Sequence, residues 1–212
     1  MGGKTMSISP FKYPSAVHVR RHGPVGYSAY RHFRPWLRDE FCFRCVYCLR
    51  REVWCFQDSD FELDHEVAQS IAPELCRDYA NLVYACHNCN QRKGNKRLPS
   101  PTEVAFGASM EVIMSGDKYG TIHPLNDDGT RLIDELSLDA PKITCARRRF
   151  IDITRSFEKY DRPMLLVWMG FPEDLPDLSS VSPQPSENLL PYGVAESWYE
   201  RRERDELPKI YE

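Results

Sequence analysis

Four cysteines form two Cys-x-x-Cys pairs, Cys45/Cys48 and Cys86/Cys89. Each pair can supply two sulfur ligands to one tetrahedral Zn²⁺, and the chain between the pairs closes the loop. Because four thiolates leave no coordination position open for a substrate, they predict a structural zinc rather than a catalytic one. On these residues alone, a zinc ribbon without catalysis remains open. Cys42 precedes Cys45 by three positions and competes on paper as a ligand.

The segment between the pairs carries side chains suited to phosphodiester hydrolysis. Asp64 and His65 are adjacent, Asn81 follows, and Asn90 comes directly after the last cysteine. Histidine has an unperturbed pKa of about 6.5, so it can take a proton from water near neutral pH. Carboxylate and amide oxygens suit a hard cation such as Mg²⁺ or Mn²⁺. Taken singly, Asp64-His65 is equally a surface pair and Asn81 a helix cap.

In this order and spacing, residues 45–96 resemble the His-Asn-His (HNH) endonucleases, whose fold is ββα-metal. The resemblance implies that His65 is the general base that activates water, and that Asp64 and Asn90 bind one catalytic divalent metal. Asn81 matches the middle asparagine, which braces the loop bearing the base. Asn90 stands where the family name has His, which leaves the metal open between Mg²⁺ and Mn²⁺. The implied reaction is metal-dependent cleavage of DNA to 5′-phosphate and 3′-hydroxyl ends.

Two other functions are left open by the sequence. One is a zinc-dependent nucleic-acid-binding module that does not cleave, although pure binding has no need of a base beside a metal pair. The other is a nuclease effector subunit of a larger phage-defence or mobile-element assembly. The expected partner is DNA, taken as double-stranded, and a protein partner or a homodimer also remains open.

Charge is unevenly distributed along the chain, whose net charge is −3. Residues 1–100 carry 15 Lys and Arg against 10 Asp and Glu, and the remainder carries 13 against 21. A basic face can therefore hold phosphates on a mildly acidic chain. Arg31, Arg34 and Arg38 share one predicted helical face, which either tracks phosphates or is solvated. The predicted DNA contacts are Arg92, Lys93, Lys96, Arg147, Arg148 and Arg149.

The predicted fold class is α+β. A ββα-metal nuclease unit at 41–100, stapled by the four-cysteine zinc, is expected to have flanking helices and a small C-terminal α/β extension. Residues 1–40 are expected to form an arm and a helix packed on the core, 101–172 to complete that core, and 173–212 to form a Pro/Ser-rich linker and a charged helix. No apolar run approaches 18 residues, so a soluble, cytoplasmic protein without membrane contact is predicted.

Local patterns predict the individual elements. Strands at 50–56 and 61–67 are expected to pair as a hairpin through a polar turn at 57–60. A helical part is expected to begin at Asn81 and to end near residue 95. Residues 120–136 resemble strands around a turn at 126–129, whereas apolar residues at helical spacing predict a helix over 141–160.

Overall fold

The computed structural model describes residues 8–55, 60–181 and 193–211. Most of the predicted turn at 57–60 and part of the predicted linker at 173–191 lie outside these ranges. The described residues combine short antiparallel strands with helices, which confirms the α+β class. Within these ranges, each helix is too short or too polar to cross a membrane.

Two strands and a helix form the ββα unit. Strand β1 (Phe61–His65) pairs antiparallel with β2 (Leu82–Cys86), and helix α2 (His87–Lys93) follows β2 directly. The predicted hairpin between 50–56 and 61–67 is therefore wrong. Its first half contains a 3-10 turn at Glu52–Trp54 instead of a strand.

Burial explains why residues 82–86 form the strand that pairs with β1. All five of its side chains are buried, and its Val and Tyr residues favour extended backbone. The predicted helical part from Asn81 is wrong at its start because this run forms a strand, and only 87–93 is helical. Between β1 and β2 the chain makes two 3-10 turns, Pro73–Arg77 and Tyr79–Asn81.

The chain before the zinc cysteines packs helix α1 (Arg34–Glu40) against β2. A 3-10 turn, Tyr30–Phe33, leads directly into α1. Pro35 lies in the first turn of the helix, where its missing N–H has no intrahelical partner to lose. Trp36 and Leu37 are fully buried and anchor the helix in the main core.

Two acidic residues at the end of α1 tie distant segments to it. Asp39 Oδ2 accepts a hydrogen bond from Trp198 N at 2.7 Å. Glu40 Oε2 accepts one from the Tyr79 hydroxyl at 2.8 Å, and Glu40 Oε1 lies 2.8 Å from His18 Nε2. Both carboxylates are buried. They connect the N-terminal segment, the loop before β2 and the C-terminal helix.

The C-terminal part is mainly helical. Its elements are α3 (Phe106–Ser109), β3 (Met110–Val112), β4 (Ile122–Pro124), α4 (Asp127–Leu136), α5 (Pro141–Tyr160), α6 (Arg162–Met169) and α7 (Trp198–Glu203). The helix predicted at 141–160 is confirmed. The turn predicted at 126–129 is wrong: the Asn126 side chain caps α4 by accepting a hydrogen bond from Gly129 N at 2.9 Å. That capping bond begins a helix where the second strand was expected, whereas β4 lies where the first strand was expected.

Candidate functional site

The four predicted zinc cysteines converge on one point. Their sulfur atoms all lie within 4.8 Å of one another. Cys86 ends β2 and Cys89 lies in the first turn of α2, so the strand-helix junction sets the second pair. The first pair lies in a turn fixed to β2, because Val46 N donates to Tyr84 O at 3.0 Å. Within the described residues, no other group of three or more Cys, His, Asp or Glu side chains forms such a cluster.

The cluster fits a structural Zn²⁺ by its donor chemistry. Four thiolates are the ligand set of a closed, structural zinc site, and four Sγ atoms stand together here. Cys45 and Cys89 are buried, which shields the sulfurs from water and oxidants. Cys42 lies outside the cluster. The spacing of the two pairs therefore predicted the four cysteines that the structure brings together.

His65 ends β1 with its ring held on several sides. Its Nε2 lies 3.0 Å from Cys76 O, and Gln69 Nε2 lies 3.0 Å from the same nitrogen. The ring of Tyr30 packs edge-on against it, with centroids 4.8 Å apart. Burial lowers the pKa of His65, so the imidazole is neutral at pH 7. With its proton on Nε2 and donated to Cys76 O, His65 has Nδ1 as its basic nitrogen, and Gln69 Nε2 lies 3.3 Å from Nδ1.

Asn81 braces the loop that follows His65. Its Oδ1 accepts a hydrogen bond from Val67 N at 2.8 Å, and its Nδ2 donates to Val67 O at 3.0 Å and to Leu75 O at 3.3 Å. The side chain is buried, so it does not reach a substrate. This is the arrangement expected of a residue that holds the backbone around the base.

Asp64 is held by two buried partners. Lys93 Nζ lies 2.9 Å from Asp64 Oδ1, and the Tyr47 hydroxyl donates to Oδ2 at 2.7 Å. Lys93 Nζ also donates to His65 O at 2.6 Å. Burial raises the pKa of Asp64, and the charge of Lys93 opposes that rise. Asp64 and Lys93 therefore form a buried ion pair, and the Tyr47 hydroxyl satisfies the second carboxylate oxygen.

Asn90 faces a second carboxylate that sequence reasoning missed. Its Nδ2 donates to Glu62 Oε2, and His87 Nδ1 lies 2.7 Å from Glu62 Oε1. Glu62 and Asp64 alternate along β1 and both contact α2, so they share one face of the strand. That two-residue spacing was the signal in the sequence that could have found Glu62.

Two predicted DNA contacts are wrong because their side chains are buried. Lys93 is 1% exposed, and its ammonium group forms an ion pair with Asp64. Arg147 is 4% exposed, and its guanidinium donates to Gly120 O at 2.5 Å and to Leu138 O. Arg147 thus donates hydrogen bonds to backbone carbonyl groups inside the core, and its side chain does not reach the surface.

The other four predicted DNA contacts lie nearer the surface. Arg92 donates to Leu136 O at 2.9 Å, and Lys96 forms an ion pair with Glu135 at 2.8 Å. Arg148 donates through Nε to Tyr119 O at 2.9 Å. These contacts hold Arg92 and Lys96 against α4, and Arg148 against the loop before β4. Arg149, the fourth of these predicted contacts, lies on α5 and is exposed.

The comparison with protein families agrees with this geometry. Residues 45–96 match the family model of the HNH endonucleases. The matched segment includes the four-cysteine zinc cluster, both strands of the unit and α2. An HNH domain indicates a nuclease-type fold and a nucleic-acid substrate. No curated protein and no solved structure matches the chain.

Proposed function

We propose that the chain is a metal-dependent DNA endonuclease that hydrolyses phosphodiester bonds. The observation that carries this proposal is the position of His65, whose ring is held at the end of β1 inside the HNH match. Hydrolysis requires a group that removes a proton from water near pH 7, and a neutral histidine provides it. Neither the zinc cluster nor a binding surface has any use for such a base.

His65 acts on water through Nδ1. The contact of Nε2 with Cys76 O favours the tautomer that carries its proton on Nε2, and the edge of Tyr30 limits rotation of the ring. Asn81 holds the following loop, so the base keeps its direction when a substrate enters. In this scheme, the proton of the attacking water moves to His65 while the bond from phosphorus to the leaving 3′ oxygen breaks.

Asp64 and Asn90 would hold the divalent cation. Their oxygen donors suit Mg²⁺ or Mn²⁺, and the Asn90 amide, whose nitrogen donates to Glu62, would offer the cation its Oδ1. When bound, the cation would neutralise charge on the phosphoryl and leaving oxygens. Lys93 occupies Asp64 Oδ1, so cation binding at Asp64 competes with this ion pair.

The test measures cleavage by zinc-loaded protein in metal-free buffer with Mg²⁺ or Mn²⁺ added back. Supercoiled plasmid, linear duplex and single-stranded DNA serve as substrates, and end-labelling reports whether products carry 5′-phosphate and 3′-hydroxyl groups. Cutting that depends on the added cation is the expected result. Cutting at the same rate without any added divalent cation would contradict the proposed mechanism.

One observation favours a second candidate, a nucleic-acid-binding module that does not cleave. The Asp64 carboxylate, 3% exposed, is satisfied by Lys93 and Tyr47 without any metal. In a purely binding protein this pair would stabilise the domain and nothing more. Zinc-loaded protein that binds DNA but cuts none of the three substrates would support this reading.

A further inference from the structure

A cleft beside β1 has one wall that comes from outside the HNH match. Its HNH side is formed by the strand and by the third motif position of α2. The opposite wall is formed by the segment that leads into α1. The lining residues are Tyr30, Arg31, Arg34, Phe61, Glu62, Leu63 and Asn90.

This wall is fixed firmly to the HNH domain. Arg34 Nη1 donates to Phe61 O at 3.0 Å, and its guanidinium carbon lies 5.6 Å from the centroid of the Tyr84 ring. Tyr30 contacts the ring of His65. Because Tyr84 belongs to β2 and Phe61 to β1, the wall is attached to both strands. A substrate bound in the cleft would therefore meet a preformed surface.

Arg31 is the cation that this wall presents to solvent. Its side chain is exposed, whereas Lys93 and Arg147 are buried and Arg92 donates to backbone carbonyls. Glu62 lies across the cleft, so the cleft has an acidic side and a basic side. A guanidinium binds phosphate through several N–H donors in a fixed fork, and it stays charged at any working pH.

We propose that Tyr30–Phe33 and Arg34 form a substrate-binding wall in which Arg31 contacts a backbone phosphate of the bound DNA strand. The inference rests on the proposed nuclease function for the choice of substrate. It assigns DNA binding to the N-terminal segment rather than to the arginine triplet of α5. Arg34 positions the wall, and Arg31 makes the contact.

The test measures binding of a fluorescent duplex in a His65→Ala background, so that cleavage does not disturb the equilibrium. Each phosphate contact contributes about 0.9 to the slope of log K against log salt on duplex DNA. Arg31→Ala should weaken binding by roughly 3- to 10-fold at low salt and reduce that slope by about 1. Arg31→Lys should keep most of the slope. Arg162→Ala, an exposed arginine on α6, removes the same charge elsewhere and should change neither value.

The outcomes separate this inference from the proposed function. Unchanged affinity and slope in Arg31→Ala would overturn the inference, as would equal losses in Arg162→Ala or no DNA binding by the folded parent. If Arg31→Ala weakens binding while the wild type cuts no substrate, the wall stands and the nuclease function fails. Zinc content and circular dichroism confirm that each variant is folded.

Discussion

Replacement of Lys93 by Met tests the most unusual feature of the site. Lys93 is 1% exposed, and its Nζ lies 2.9 Å from Asp64 Oδ1 and 2.6 Å from His65 O. Methionine keeps an unbranched side chain of similar length but removes the charge and all three donors. The Asp64 carboxylate is then left in the core with only the Tyr47 hydroxyl as a partner.

The structure sets the size of the effect. Removing one partner of a buried ion pair costs about 3–5 kcal/mol, because the remaining charge is neither paired nor hydrated. For a chain of this length, a change of 1 kcal/mol shifts Tm by about 2–4 °C, so Tm should fall on the order of 10 °C. Burial already raises the pKa of Asp64, and loss of Lys93 raises it further. The deficit should therefore shrink as the pH falls and Asp64 takes up a proton.

The assay unfolds zinc-loaded protein in urea, without added Mg²⁺ or Mn²⁺. Tryptophan fluorescence measures the fraction of unfolded protein. Lys93→Met is compared with Asp64→Asn and with the double variant, which should lose less stability than the sum of the single losses. Lys96→Met is the matched control. Its lysine pairs with Glu135 at the surface, where both side chains are at least 40% exposed, so little change is expected.

Two results would refute this reasoning. If Lys93→Met unfolds at the wild-type urea concentration, the ion pair does not stabilise the domain. Additive losses in the double variant would show that Asp64 and Lys93 do not interact.

Three further variants test the structural zinc, the loop that Asn81 holds and the buried Glu40 carboxylate at the end of α1. Cys86→Ser should lose most bound zinc by elemental analysis and unfold at lower temperature, because zinc binding contributes folding free energy; full zinc content would count against this. Asn81→Ala should lower the free energy of unfolding by about 1–3 kcal/mol and speed proteolysis within 66–78, and unchanged proteolysis would argue against the brace. Burial raises the pKa of Glu40, but His18 and Arg20 bring it below its usual value. Its stabilising contribution is therefore present above the unfolded pKa of about 4.3 and is lost as the pH falls through the lower folded value, so Glu40→Gln should flatten the stability loss between about pH 5 and 3.

The zinc site could be predicted from sequence because it depends on local spacing. Each Cys-x-x-Cys pair fixes two sulfurs within a single turn, and only the meeting of the two pairs is a tertiary event. The strand that carries Asp64 and His65 was also located, although its partner was not. Residues 50–56 were the nearer candidate, but β1 pairs instead with Leu82–Cys86. Cys86, at the end of that strand, lies beside the first cysteine pair, which is a tertiary contact that local patterns do not specify.

The side-chain partners could not be predicted because they are distant in sequence. Lys93 and Asp64 are separated by 29 positions, and the local sequence around either residue does not indicate that they form an ion pair. The prediction of Arg147 as a DNA contact failed for another reason. Arg147 lies four residues after Ile143 and four before Ile151, on the buried side of α5, where an arginine is tolerated because carbonyl groups accept its donors. The cleft wall of Tyr30 and Arg31 depends on how α1 packs on β2, which local patterns do not specify.

The most direct measurement compares plasmid cleavage by the wild type, His65→Ala and His123→Ala, each zinc-loaded and supplied with the same divalent cation. His123 lies on β4 and serves as the histidine control. The proposed mechanism predicts at least a 100-fold lower rate for His65→Ala, since general base catalysis contributes about 10²–10⁴-fold. It predicts an unchanged rate for His123→Ala. Wild-type cleavage by the folded His65→Ala variant would contradict the assignment of His65 as the base.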